Sequence, residues 1–239
     1  MFELDHDNHD KQITEDIKGR TAIIIDNFYK NPDEVRELAL SLEDDDSSDL
    51  VNGFPGVRGF YETSEVKEKL YDLYFFLCNK HFPRFDEKEF KKNWSKAGFL
   101  VNVLNEETLM ANPIGIIPHQ DWWMSEPEES SFQFGSVIYL NTPDECAGGT
   151  NLYSHNGEMS IPYDFEPEWA GELERIEHDI DKVKYVKEKV GGGEPYKCEF
   201  EAEMKYNRMV LYQADVLHAQ NVDLGMFHNY NRINQPLFM

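Results

Sequence analysis

From Ala97 onward the sequence breaks into short β-branched and aromatic runs separated by turn residues, and this texture restricts the fold more than any other feature. Seven runs can be read, at residues 99–104, 114–117, 132–140, 150–153, 196–204, 209–213 and 233–238. Strands this short need partners to bury a face, and a series of them spaced by turns predicts a sandwich or jelly roll. Upstream, residues 21–25 read as a further buried strand that ends at Asp26 and Asn27. Asn31 can cap a helix that opens on Pro32 and carries Val35, Leu38, Ala39 and Leu42 on one stripe. Ser64 is placed to cap a second helix, with Val66, Leu70, Leu73 and Leu77 at helical spacing. Both helices are expected to pack outside the strands, which makes the chain α+β. Between Pro167 and Val190, Trp169, Leu173, Ile176, Ile180 and Val183 recur every three or four residues, so an inserted helix is expected there, stopped by Gly191, Gly192 and Gly193. We therefore expect a loose arm at 1–20 and a single domain at 21–239, with an insertion at about 164–195.

Hydrophobic residues are 40% of the 239 and aromatics 13%, enough to build a core and too apolar for a disordered chain. Acidic residues outnumber basic ones 46 to 23, a formal net charge of −23. Such a field repels a phosphate backbone, so duplex nucleic acid is not expected as a partner, and anionic membranes are disfavoured for the same reason. No apolar run reaches membrane-spanning length, and residues 1–10 are acidic where a signal peptide would be basic and then apolar. The expectation is a cytoplasmic protein without a membrane span. Cys78, Cys146 and Cys198 are scattered and outside any CxxC spacing, which fits a reducing compartment and offers neither a disulfide framework nor a zinc knuckle.

Chemistry concentrates in a few places. On an extended backbone the two-residue offset of His119 and Asp121 puts both side chains on one face, where both can reach one ion. The pair alone fits a hydrogen-bonded couple at a strand end equally well; a metal needs a third ligand. His218 can supply it, because it follows the 209–213 strand and the turn at Ala214 and Asp215 and begins a new apolar strand. Two neutral imidazoles and one carboxylate form the facial triad that holds Fe(II) and leaves positions open for substrate and oxygen. If the electron source is a dicarboxylic keto acid, its far carboxylate needs a buried cation. Arg232 stands fourteen residues beyond His218 and shares a strand face with Asn234 at period two, so a guanidinium and an amide can clamp a carboxylate together. A surface arginine paired with one of the many acids is the other reading of Arg232. Arg208 is the fallback cation, although its place at a turn favours a solvent role.

In combination these residues resemble the Fe(II)- and 2-oxoglutarate-dependent dioxygenases, in their prolyl-4-hydroxylase-like branch. The likeness is carried by Pro118-His119-Gln120-Asp121, Ser136-Val137-Ile138-Tyr139-Leu140-Asn141, Gly148-Gly149-Thr150-Asn151-Leu152-Tyr153, Leu217-His218-Ala219 and Arg232, in that order. The segments Ile25-Asp26-Asn27-Phe28-Tyr29 and Asn31-Pro32-Asp33-Glu34-Val35 also look like the lead-in of small uncharacterised members. The resemblance covers most of residues 21–239. It implies a double-stranded β-helix (jelly-roll) core with the N-terminal helices outside. It further implies that His119, Asp121 and His218 hold Fe(II), that Arg232 binds the C5 carboxylate of 2-oxoglutarate, and that Asn102 and Tyr139 contact that cosubstrate. The activity implied consumes O2, releases succinate and CO2, and hydroxylates an amino acid, a peptide or protein, or a small molecule. Because halogenating members lack the carboxylate ligand, Asp121 favours hydroxylation or a related oxidation, with desaturation and ring closure left open. Two departures stand out: a charged insertion lengthens the gap between Asp121 and His218, and Arg232 lies a few residues farther from His218 than the family pattern has it. The alternatives are a cupin-like protein that binds a metal or sugar without turnover, and a zinc hydrolase on the same three ligands.

Trp122, Trp123 and Met124 follow the metal-binding candidates directly and either wall a substrate pocket or pack at a strand end. His155 reads as a loop residue, His6 and His9 as solvated members of the arm, and His81, His178 and His228 have no partner at metal spacing. The triple glycine at 191–193 lacks the lysine and the strand-to-helix setting of a phosphate loop and reads as a hinge.

Overall fold

The computed structural model describes residues 2–7, 13–41, 57–61, 64–94, 99–104, 113–121, 132–162 and 167–239. In chain order the elements are β1 (Ile13–Ile17), β2 (Arg20–Ile25), α1 (Pro32–Ser41), β3 (Val57–Tyr61), α2 (Ser64–His81), α3 (Glu87–Trp94) and β4 (Phe99–Leu104). A 3-10 turn (Pro113–Ile116), β5 (Phe134–Tyr139), β6 (Gly149–His155), α4 (Ala170–Leu173) and α5 (Asp179–Gly191) follow, and then β7 (Tyr196–Glu203), β8 (Met209–Gln213), β9 (His218–Asn221) and β10 (Arg232–Phe238). Seven strands form one sheet in the order β1-β2-β8-β5-β10-β4-β3, and three form a second in the order β7-β6-β9. Every strand pairing in both is antiparallel.

Alternation along the central strands sorts their side chains into two cores. Ile23, Ile25, Ile138, Leu140, Met209, Leu211 and Ile233 face α1, α2 and α3, meeting Val35, Leu70, Tyr74, Leu77 and Phe90. Ala22, Val137, Tyr139, Val210 and Tyr212 face the other way, onto Leu152 and Ala202 of the smaller sheet and Val183, Val186 and Val190 of α5. Full burial of each large aliphatic side chain contributes about 1.5–3 kcal/mol, so the two faces of the larger sheet hold the three layers together. The sheets remain open and separate. What the structure shows is a mixed helix-and-strand chain with two facing antiparallel sheets and the early helices outside, without the closure of a double-stranded β-helix.

Several expectations are corrected. The supposedly loose arm contributes β1, the edge strand of the larger sheet, joined to β2 by a two-residue turn with Lys18 and Gly19 both at positive φ. Its polarity belongs to an exposed edge, where Thr14, Glu15 and Asp16 face water while Ile17 is buried. Ahead of it, Phe2 and Leu4 are buried, and Leu4 bridges to Tyr29. The segment expected as a strand at 114–117 is instead mostly the 3-10 turn, because a four-residue apolar run flanked by Pro113 and broken by Gly115 buries its isoleucine equally well as a turn. The inserted helix is two helices. Trp169 and Leu173 belong with α4 and pack on the second core, whereas Ile180, expected on the buried stripe, is 42% exposed near the start of α5. α5 rests against the 3-10 turn and β7. Leu42, Trp122, Trp123 and Met124 lie outside the described residues, as do the side chains of Ser64, Val66 and Asn102. No helix among the described residues is long and apolar enough to cross a membrane.

Candidate metal centre and anion site

His119 and His218 meet through the backbone before their side chains come into play. Each donates its N–H to the other's carbonyl, at 2.9 and 2.8 Å, forming an isolated antiparallel bridge that continues the smaller sheet beyond β9. Residues opposite each other in such a pair project to the same face, which brings the two rings to a 4.5 Å centroid separation. Asp121 follows two residues on, its N–H held by the Ala214 carbonyl at 2.9 Å, and alternation returns its side chain to the same face. Gln120 points the other way. Its carboxamide donates to the Asp215 carbonyl and accepts from the Ile161 N–H, both at 2.9 Å, and so ties the segment to two neighbouring loops.

The ring tautomers follow from the same geometry. Nδ1 of His119 lies 2.8 Å from the Ile117 carbonyl and Nδ1 of His218 lies 3.0 Å from the Val216 carbonyl. A carbonyl only accepts, so both Nδ1 atoms carry hydrogen, and in the neutral rings the free lone pair sits on Nε2. Both Nε2 atoms point toward Asp121: His119 Nε2 is 3.9 Å from Oδ1 and His218 Nε2 is 3.2 Å from Oδ2. The three groups offer donor atoms that all lie within 4.8 Å of one another. Asp121 is buried, and its Oδ2, 3.2 Å from His218 Nε2, has no hydrogen-bond donor among the described residues when both rings are neutral. Three converging lone-pair donors, one of them orphaned, fit a divalent cation.

Burial alone would raise the Asp121 carboxyl, but His218 and then His119 hold it below its usual range. Burial pulls His218 down, yet Asp121 and the Val216 carbonyl carry it above the ordinary histidine value. His119 is lowered by burial and by His218, although 32% of its side chain remains open to solvent.

Space for the carboxylate comes from Gly135 on β5. A Cβ there would fall 2.9 Å from Asp121 Oδ2 and 2.9 Å from Tyr212 Cε2. Tyr212 is the register partner of Gly135 on β8, and its ring lies 4.7 Å from that of His218. Neither residue stands out in the sequence as part of a site.

On the same side of the larger sheet lies Arg232, only 2% exposed. Among the described residues no carboxylate pairs with it. Its Nε has no partner, one Nη donates a long 3.4 Å bond to the Gly149 carbonyl, and the guanidinium carbon stands 5.7 Å from the centre of the Tyr139 ring. Burial lowers its pKa. Asn234 shares this face, with Oδ1 also buried and unpartnered, and it is flanked in register by Tyr139 on β5 and Asn102 on β4. Tyr139, whose pKa is raised by burial against the pull of Arg232, shares a 2.7 Å hydrogen bond with Thr150. The Gly-Gly-Thr motif thus has a physical basis: a Cβ on Gly149 would sit 2.1 Å from the Ala202 carbonyl, and Thr150 reaches across the sandwich to Tyr139. Arg208, the fallback cation, is committed elsewhere, gripping Asp26 at 2.5 and 2.9 Å.

Residues 9–231 match a family described as a family of unknown function, DUF6445. The chain belongs to that family. No curated protein matches this DUF6445 chain. Among solved structures it is similar to a novel N-substituted L-amino acid dioxygenase from Burkholderia ambifaria AMMD, at 13% identity and a TM-score of 0.37, over 93% of this chain and 84% of that one. The same enzyme in complex with alpha-KG aligns at 15% identity and a TM-score of 0.35, over 91% and 81%. A putative alpha-ketoglutarate dependent 2,4-D dioxygenase from Burkholderia xenovorans aligns at 9% identity and a TM-score of 0.32, over 72% and 86%.

Proposed function

We propose that this DUF6445 protein is a non-haem Fe(II)- and 2-oxoglutarate-dependent dioxygenase that hydroxylates an amino-acid, peptide or small-molecule substrate. One observation carries the reading: a convergent His, Asp, His donor set and a buried guanidinium with no carboxylate partner among the described residues lie on the same inter-sheet side, both felt by Tyr212. A zinc hydrolase or a sugar-binding sandwich on the same three ligands does not by itself require that second feature. His119, Asp121 and His218 would hold the metal through Nε2, a carboxylate oxygen and Nε2, and three protein donors leave an iron coordination sphere incomplete. The Nδ1 bonds to Ile117 and Val216 fix both rings in the ligating tautomer. Arg232 would neutralise the C5 carboxylate of 2-oxoglutarate, with Tyr139, Asn234 and Asn102 as the residues around it. Bound iron would supply oxygen activation coupled to decarboxylation of 2-oxoglutarate into succinate and CO2. Water exclusion falls to the inter-sheet core, and access to the partly exposed side of His119.

The test is an anaerobically purified protein supplied with Fe(II), 2-oxoglutarate and O2 and screened against amino acids, peptides and small molecules for stimulated succinate release. The reading predicts slow release without substrate and faster release with the right one, both abolished by His119→Ala or His218→Ala. Succinate at the level of a protein-free control, or full release by either histidine variant, would overturn it.

A further inference from the structure

β5 leaves its ladder with β10 one residue before it reaches the level of Arg232. Tyr139 is paired with Asn234, and the Leu140 N–H still donates to the Ile233 carbonyl at 3.0 Å, but among the described residues no main-chain hydrogen bond joins this strand to the start of β10 beyond that point. The side chain of Asn141 takes over. Its Nδ2 donates to the Asn231 carbonyl at 2.8 Å, and its Oδ1 accepts from the Ile233 N–H at 2.7 Å. These two groups belong to the residues immediately before and after Arg232. Asn141 itself is fully buried, and its own carbonyl is met by the Cys146 thiol at 3.4 Å.

We propose that Asn141 is a positioning residue for Arg232: its carboxamide stands in for a strand and fixes the backbone on both sides of the guanidinium, and so sets where the buried cation meets its anion. Among the described residues the guanidinium meets only a distant 3.4 Å carbonyl and the side chain of Tyr139, so its direction depends also on the backbone that carries it. The carboxamide suits this task because it offers one donor and one acceptor in a fixed plane, matching a carbonyl and an N–H two residues apart. Aspartate lacks the donor, and serine lacks the reach to both.

The inference rests on the reading of Arg232 as the cosubstrate anchor, and the test separates the two. Binding of 2-oxoglutarate to the full-length protein loaded with redox-inert Mn(II) is measured by calorimetry for wild type, Asn141→Ala, Asn141→Asp, Arg232→Met and the Asn141→Ala/Arg232→Met pair, alongside Mn(II) affinity and thermal midpoint. Wild-type protein that binds no 2-oxoglutarate defeats the dioxygenase reading itself. Given wild-type binding, Asn141→Ala is expected to weaken 2-oxoglutarate by about tenfold or more and leave Mn(II) affinity unchanged, while adding no further loss in the Arg232→Met background, as residues acting as one unit do. Asn141→Asp serves if the alanine variant does not fold and should weaken binding likewise. Unchanged 2-oxoglutarate affinity in the folded variants, or a loss that persists at full size without Arg232, overturns the positioning role.

Discussion

Replacing Arg232 with methionine should make the metal-free protein more stable while removing its response to 2-oxoglutarate. The guanidinium is 2% exposed, has no carboxylate partner among the described residues, and leaves Nε unsatisfied. Desolvating a cation costs several kcal/mol, and exchanging even a paired buried charge for a well-packed apolar side chain is often stabilising by roughly 1–4 kcal/mol. Against this stand, among the described residues, one stretched 3.4 Å hydrogen bond and the side chain of Tyr139, whose face is worth about 0.5–2 kcal/mol. The balance favours methionine by about 1–3 kcal/mol, which for a chain of this size raises the unfolding midpoint by roughly 2–12 °C. Ligand reverses the order, because 2-oxoglutarate at about a hundred times its dissociation constant stabilises whatever binds it by about 2.7 kcal/mol. Calorimetric unfolding with and without Mn(II) and 2-oxoglutarate reads both effects. The expected pattern is a crossover, in which the variant is the more stable protein without ligand and unmoved by it. A variant that melts well below wild type without ligand, or that still gains from 2-oxoglutarate, would refute the idea that this arginine is held at a cost for the sake of an anion.

Gly135→Ala should be disproportionately harmful for one methyl group: with its Cβ 2.9 Å from both Asp121 Oδ2 and Tyr212 Cε2, overpacking costs about 1–3 kcal/mol and displaces a metal ligand. Thermal unfolding and metal titration should both register the change, and an alanine variant with wild-type midpoint and affinity would show that the carboxylate does not need that space. Metal binding should also depend on pH in a definite sense. The metal-free protein holds a proton on His218 up to a pH above the ordinary histidine value, since Asp121 outweighs the penalty of burial, whereas the metal-bound ring must be deprotonated. Affinity therefore falls as pH drops through that raised value, with about one proton released per metal below it; calorimetry in buffers of different ionisation enthalpy counts the proton, and affinity flat from pH 8 to pH 5 would contradict the linkage.

Much of this arrangement was legible from residue order because the relevant rules are local. The offset of His119 and Asp121 is a two-residue alternation that survives any context in which the segment is extended, and Arg232 and Asn234 share a face for the same reason. The meeting of His218 with His119 is long-range, and what made it readable was the chemistry of an incomplete ligand set rather than any pattern in the chain. Strand readings match where apolar residues run together, as at 99–104 and 209–213, both of which coincide with observed strands. They failed where burial is one-sided or brief: Thr14, Glu15 and Asp16 disguise an edge strand as a polar arm, and Ile116 is buried from a turn. Gly135 and Tyr212 carried no signal, since their importance is a distance between strands set by register. Asn141 is visible as part of a motif, but only the fold shows that its side chain continues a ladder its backbone has left.

The most direct measurement is the stoichiometry of metal bound by protein stripped with chelator and titrated anaerobically with Fe(II), compared across wild type, His119→Ala, Asp121→Ala and His218→Ala, each shown by circular dichroism to be folded. The account predicts one ion per wild-type chain and a visible charge-transfer band once 2-oxoglutarate is added, with binding lost or greatly weakened in all three variants. Equal binding by wild type and variants, or none by wild type, would contradict it.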